Sequence, residues 1–414
     1  MSHRSTVHWG VPALVFATLL MLGCDRSPPG PLTVAEIVSP VAEGSGQPRL
    51  VVSPAGDVIL SWLEPVLDDY ALKFSSLSDD GWSEARTVAQ GDDWFINWAD
   101  TPSVVPVTEN LWAAHWLRYQ PDSFFAYDAM LSLSTDGGAN WQAPFLLHQD
   151  GTESEHGFVT LFPDQDGVGA VWLDGRNFIQ DGVYLYEDAA GNLLGTGLHY
   201  ARFDASGERL ESLELDDMAC DCCLPDVAFS SSGPVIAYRD RTTEEARDIV
   251  VRRHADDQWQ AAVPLSADNW IIEGCPINGP AVAADGDSVA VAWFSAADNT
   301  PYVRLARSEN AGRAFADAVE IDATGSFGNV DIAVLESGDA IVSWLRSEAE
   351  GMALAIRRVS PDGMVHDLQT VAFIDTGRPA DFPQMVYDGQ RLVFAWTDFE
   401  DAGTVKTAIA EVTR

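Results

Sequence analysis

Apolar residues along this chain fall in short runs that alternate with polar positions, and seven of these runs end on an aromatic ring. They are residues 58–62 ending at Trp62, 111–116 at Trp116, 168–172 at Trp172, 234–238 at Tyr238, 289–293 at Trp293, 340–344 at Trp344 and 392–396 at Trp396. Successive rings lie 54, 56, 66, 55, 51 and 52 positions apart. Between them, apolar-polar alternation punctuated by Gly, Asp, Asn and Pro argues for strands and tight turns. No window after the N-terminal segment sustains a 3.6-residue apolar period. A repeat of this length, with four short strands per unit, predicts an all-β, seven-bladed β-propeller of four-stranded blades. Six blades, with one unit misread, is the alternative count.

Each unit begins with a short apolar strand that often follows Pro or Gly, as at 48–52, 225–229 and 280–283. A turn leads into the ring-ended strand, and two alternating strands follow, such as 71–74 and 85–88. The seventh unit stops after its third strand, at 404–412, so it lacks an outer strand. Residues 33–38 can supply it, joining first and last blades and leaving no sheet edge open.

The first residues follow other rules. Arg4 precedes an apolar run over 11–22, too short to cross a bilayer as a helix. The run leads into Leu20-Met-Leu-Gly-Cys24, which resembles the bacterial lipoprotein box. That resemblance implies a signal peptide over 1–23, a lipidated Cys24 with a tether over 24–32, and a single propeller domain over 33–414. It also implies a cell-envelope location, anchored by lipid outside the cytoplasmic membrane.

Charge narrows the partners. The net charge is −39, with 63 Asp and Glu against 24 Lys and Arg, and only Lys73 and Lys406 among the lysines. Bulk electrostatics of this sign oppose binding to nucleic-acid phosphates or anionic lipid surfaces. Membrane association is then expected through the lipid alone, and the domain is expected to be a monomer.

One hairpin carries a family resemblance. Ser134, Asp136, Gly138 and Trp141 match the pattern S-x-D-x-G-x-x-W, and Ser308, Asn310, Gly312 and Phe315 form a degenerate copy in register with the repeat. A shortened copy stands at Ser78, Asp80, Gly81 and Trp82, and a remnant at Ser360, Asp362 and Gly363. In such a turn the carboxylate bonds turn amides, Gly takes a positive φ and the ring packs beneath. The set resembles the Asp-box (BNR) repeat of bacterial sialidases (neuraminidases) and related propellers. In that family the motif is structural and lies away from the active site, so it speaks for fold rather than activity.

Candidate chemistry lies on the opposite face, where loops that enter innermost strands and leave second strands converge on the axis. These loops hold Trp94, Trp98, Glu153, Glu155, His156, Trp270, Glu273 and Asp381. Loops leaving the ring-ended strands hold Arg118, Asp174, Arg176, Arg239, Asp240, Arg241 and Arg346. Asp174, Arg176, Arg239, Asp240, Arg241 and Glu273 form the candidate catalytic set. His115, His148, His199, His254 and His366 are scattered, and His156 alone is placed to matter. The insertion over 174–197, with Tyr184 and Tyr186, is either a lid or a decorating hairpin.

The remaining cysteines, Cys220, Cys222, Cys223 and Cys275, precede two successive blades and should be neighbours. In an exported chain disulfides are the default, with a Cys275 bridge and a vicinal Cys222–Cys223 pair as the expectation. A zinc or copper thiolate cluster is the alternative. No cofactor is required, although calcium or a Cys-bound metal is compatible.

The resemblance implies sialidase chemistry, in which three arginines hold the sugar carboxylate while a Tyr–Glu nucleophile pair and an Asp acid/base act on the glycosidic bond. Tyr119 and Tyr238 are the candidate phenols, though Tyr238 occupies a core ring position. The family's early Arg-Ile-Pro signature is absent. Two functions follow: an exo-glycosidase of acidic-sugar glycans, or a non-catalytic propeller binding a glycan or protein ligand on the axial face.

Overall fold

The computed structural model describes residues 1, 30–121, 123, 126–375, 382–399 and 403–412. Cys24 and Asp381 lie outside them. Leu32–Arg414 form a compact unit of their own. That unit is an all-β propeller of seven four-stranded blades.

The ring-ended strands are the second strands of the blades. They are Val58–Val66, Trp112–Tyr119, Gly167–Asp174, Gly233–Arg239, Ser288–Ser295, Ala340–Glu348 and Arg391–Asp398. Each runs between two hydrogen-bonded strands of its own sheet, and most of its residues are buried. Trp62, Trp172, Trp293, Trp344 and Trp396 are fully buried, and Tyr238 takes the same place in blade 4. The repeat is thus one buried ring per blade.

Val34–Ile37 pairs antiparallel with Thr404–Glu411, Val34 opposite Ala410 and Ile37 opposite Thr407. Blade 7 therefore takes its outer strand from the start of the domain and the ring closes, as the short seventh unit predicts.

Five blades tie their ring to a carboxylate and that carboxylate to a cation. Trp62 Nε1 donates to Glu64, which accepts from Lys73. Trp172 donates to Asp174 at 2.7 Å, and Asp174 pairs with Arg176 at 2.6 Å. The Tyr238 hydroxyl donates to Asp216 at 2.6 Å, with Arg252 at 3.9 Å. Trp293 and Arg304 share Asp268, each at 2.7 Å. Trp344 donates to Asp322 at 3.1 Å, with Arg346 at 3.8 Å. A buried N–H or O–H needs an acceptor, and a buried acceptor carboxylate needs a counter-charge. In blades 4 and 6 the carboxylate comes from the outer strand of the preceding blade, so it also stitches neighbours together.

The two matching hairpins fold alike. Ser134 Oγ donates to Asp136 and accepts from Gly138 N, and Asp136 accepts from Asn140 N at 2.8 Å. Ser308 Oγ donates to Asn310 and accepts from Gly312 N, and Asn310 accepts from Ala314 N at 3.0 Å. Gly138, at φ +73°, sits where a Cβ would lie 3.1 Å from both Phe74 and Trp112. Trp141 packs edge-on to Phe74, and Phe315 packs against a buried cluster.

Candidate functional site

Innermost strands line the axis and enclose a cavity of about 420 Å³. Its polar wall is Arg49 with Asp226, 3.8 Å apart, and Asp331. Asp226 accepts Val282 N and Asp331 accepts Met385 N, so each carboxylate sews its blade to the next. Burial, with Asp226 nearby, pushes the Asp331 carboxyl up to about 7.

On the face opposite the matching hairpins, two groups of side chains stand out. The first lies between blades 2 and 3. His148 and His156 stack in parallel, ring centres 3.5 Å apart. Asp150 takes His148 Nδ1 at 2.8 Å and His156 Nε2 at 3.2 Å on its two oxygens. Asp128 faces His148 Nε2 at 3.3 Å and pairs with Arg118 at 3.2 Å. Asp174 lies 3.7 Å from His156, and Arg176 spans Asp174 and Asp150. Both histidines and Asp174 are buried. Burial opposes a charge on His148, yet Asp128 and Asp150 hold its pKa above the ordinary value. Burial likewise opposes charge on Asp128, but hydrogen bonds led by His148 hold it down to about 2. The result is a line of carboxylates and imidazoles in contact, with an arginine at each end.

The second group surrounds the 220–223 loop. Asp100, 1 % exposed, accepts Phe158 N at 2.7 Å on one oxygen, while its other oxygen has no hydrogen-bond partner. Burial, followed by the Glu155 charge, pushes its carboxyl up to about 7. Gly157 permits this approach, because a Cβ there would lie 2.0 Å from Asp100 Oδ2 and 2.7 Å from the Tyr127 ring. Burial and the nearby Asp221 charge also raise Glu155. The charges of Asp100, Glu155 and Asp221 all reach the buried Tyr127 hydroxyl, whose pKa burial has already raised.

Next to them the cysteines gather. Cys220, Cys222 and Cys223 are buried, and Cys275 is exposed. All four are free thiols, so the expected disulfides are not formed; Cys220 and Cys222 Sγ are 3.9 Å apart. The three buried sulfurs lie within 4.8 Å of one another, and Asp221, Cys222 and Cys275 make a second such trio. Arg247 donates to Cys220 Sγ at 3.4 Å and to Asp221 at 2.9 Å. Burial opposes ionisation of Cys220, but its thiol neighbours and the Arg239 and Arg247 guanidiniums hold its pKa well below the usual thiol value.

The sequence candidates divide among these places. Asp174 and Arg176 belong to the His–Asp line. Arg239 is 1 % exposed, and its guanidinium donates to the carbonyls of Asn278, Arg247 and Phe294 and stacks on Trp270. Arg241 pairs with Glu245 at 2.6 Å. Asp240 is half-buried, and burial with Asp216 nearby raises its carboxyl to about 6. Glu273 is exposed in the 265–280 connection. Tyr119 is exposed against Phe95, and Tyr238 is a core ring. Sequence reading passed over Asp100, Tyr127, Asp150 and Arg247; the only signal was the density of His and acidic residues over 148–156. The 174–196 insertion folds as a hairpin, Ile179–Gln180 with Val183–Tyr184. It presents Tyr184 and Tyr186, 5.3 Å apart, at the surface.

No family model matches the chain, and no curated protein matches it. Among solved structures, the polysaccharide lyase Uly1 superposes with a TM-score of 0.52 at 9% identity, covering 89% of this chain and 90% of that one. The NanB sialidase of Streptococcus pneumoniae gives 0.45 at 12% identity, covering 90% and 69%. A protein of unknown function from Dyadobacter fermentans gives 0.46 at 10%, covering 89% and 95%. The superposition on Uly1, at 9% identity, speaks for the fold alone.

Proposed function

We propose that this chain is a non-catalytic Asp-box propeller of the cell envelope, lipid-anchored through Cys24, that binds a neutral or amino-bearing glycan on its axial face. One observation carries this reading. Each candidate arginine among the described residues is already held: Arg118 by Asp128, Arg176 by Asp174 and Asp150, Arg239 by three carbonyls, Arg241 by Glu245, Arg346 by Asp322 and Glu348. A sugar carboxylate arriving there would have to displace a resident carboxylate. The same face offers Glu155 and Asp221, which favour hydroxyl and ammonium donors. The exposed Tyr184 and Tyr186 rings give apolar faces for sugar C–H surfaces.

The second reading is an exo-glycosidase of acidic-sugar glycans. It is favoured by Glu155, an exposed carboxyl whose pKa is raised in the direction a general acid needs. A glycan array with the purified protein, run beside a panel of chromogenic glycosides that includes a sialoside, separates the two. Retention of neutral or amino-sugar glycans, lost in Tyr184→Ala with Tyr186→Ala, and no turnover, is the expected result. Sialoside turnover that disappears in Glu155→Gln would replace the binding reading with the enzymatic one.

A further inference from the structure

We infer that Cys220, Cys222 and Cys223 form a three-thiolate site for a soft metal ion, monovalent copper. The three thiols themselves take no part in the proposed glycan contacts. Three observations converge on it.

First, the sulfurs are spaced for a metal and not for one another. The Cys220 and Cys222 sulfurs are 3.9 Å apart, and all three lie within 4.8 Å. A metal about 2.3 Å from each sulfur sets them roughly 3.8 Å apart in a tetrahedron and roughly 4.0 Å in a triangle. Second, the donor set is all sulfur. Among the described residues no imidazole joins the trio, and Asp221 groups instead with Cys222 and Cys275. Thiolates without hard donors select copper(I) or zinc over calcium, magnesium or manganese. Zinc in a structural site takes four ligands. Here the fourth thiol, Cys275, stands at the surface outside the mutual triangle, which leaves three ligands and favours copper(I).

Third, a cation lies against the sulfurs. Arg247 donates to Cys220 Sγ at 3.4 Å, while it also pairs with Asp221 at 2.9 Å and Glu245 at 3.0 Å. Its guanidinium favours the thiolate form of Cys220 that a metal needs.

The second trio supplies a route. Cys275 is exposed and shares Cys222 with the buried trio, so an arriving ion meets Cys275 and Asp221 first and passes to Cys222. Loading releases the thiol protons to solvent and changes no oxidation state. Bound copper then keeps the three sulfurs from pairing as disulfides.

The test titrates the full-length protein, reduced and without oxygen, with copper(I) held by the chelator bathocuproine disulfonate. One copper per chain should leave the chelator, with X-ray absorption showing three sulfur neighbours. Cys222→Ser should lose more affinity than the roughly 10–100-fold that outer-shell changes cost. Cys275→Ser should bind as tightly but load more slowly, and Cys24→Ser should be unchanged. Copper left on the chelator by the wild type overturns the assignment. So does equal copper uptake by Cys222→Ser, or tighter binding of zinc with four sulfurs. The wild-type absorption spectrum decides the matter even where Cys222→Ser does not fold.

Discussion

The His–Asp line between blades 2 and 3 and the cysteine group before blade 4 occupy the same face and are both buried, yet they are built on opposite terms. In the first, charges answer charges inside the protein: His148 stands between two aspartates, and Arg176 closes the end. In the second, three thiols, which are weak hydrogen-bonding groups, crowd together beside two guanidiniums. The first set pairs most of its polar groups with one another and reads as architecture. The second has Arg247 donating to the Cys220 sulfur as well as to carboxylates, a contact that strengthens when the sulfur is ionised, so it points outward to a ligand.

Removing Asp150 should expose this difference most sharply. Asp150→Ala leaves His148, His156 and Arg176 facing one another, and loss of one partner from a buried ion pair costs about 3–5 kcal/mol. Urea unfolding reads this out, and a loss under about 1 kcal/mol would mean the line is not the brace described. Trp172→Phe withdraws one donor from the buried Asp174 and should cost about 2 kcal/mol on the same assay. Metal-free Cys222→Ala, in contrast, should cost only about 1 kcal/mol, the middle of the range for single substitutions. A cost equal to that of Asp150→Ala would erase the contrast and make the cysteines structural.

The smallest effect is in pH. His148 holds its proton more tightly folded than unfolded, so its contribution is complete below about pH 6.5 and fades as pH rises through the folded value. Asp128, held down to about 2, works the other way: its contribution is complete above about pH 4 and is lost as pH falls toward about 2. Melting temperatures of wild type and His148→Gln should therefore differ most near pH 6 and converge at alkaline pH. A gap that stays constant or widens with pH would remove His148 from the account.

The blades were legible because a buried ring recurs once per blade, and the closing strand because the seventh unit is one strand short. The candidate site was legible only in part. Asp174 and Arg176, two residues apart, reveal their pairing in the sequence. Asp216 with Tyr238, or Asp268 with Trp293, are joined by the return of the chain between blades, which no local spacing encodes. Arg239 looked available because it follows a strand, whereas its partners are three carbonyls from distant segments. His148 and His156 meet because their loop folds back, a geometry that neither helical nor strand periodicity registers. The cysteines could be placed together from the blade repeat, but compartment-based reasoning favoured disulfides and carries no information on sulfur separation.

The pairing of Val34–Ile37 with Thr404–Glu411 joins residues 370 positions apart, as where the Thr407 hydroxyl meets the Ile37 carbonyl. During synthesis, the strand over Val34–Ile37 waits for the one over Thr404–Glu411 before it has a partner. Six blades can form in order while this strand stays single, so completion is a late, non-local event that local folding cannot hasten. A chain cut short before residue 404 would thus leave one two-stranded sheet with a raw edge and one strand without a partner, giving quality control a way to distinguish finished from unfinished copies.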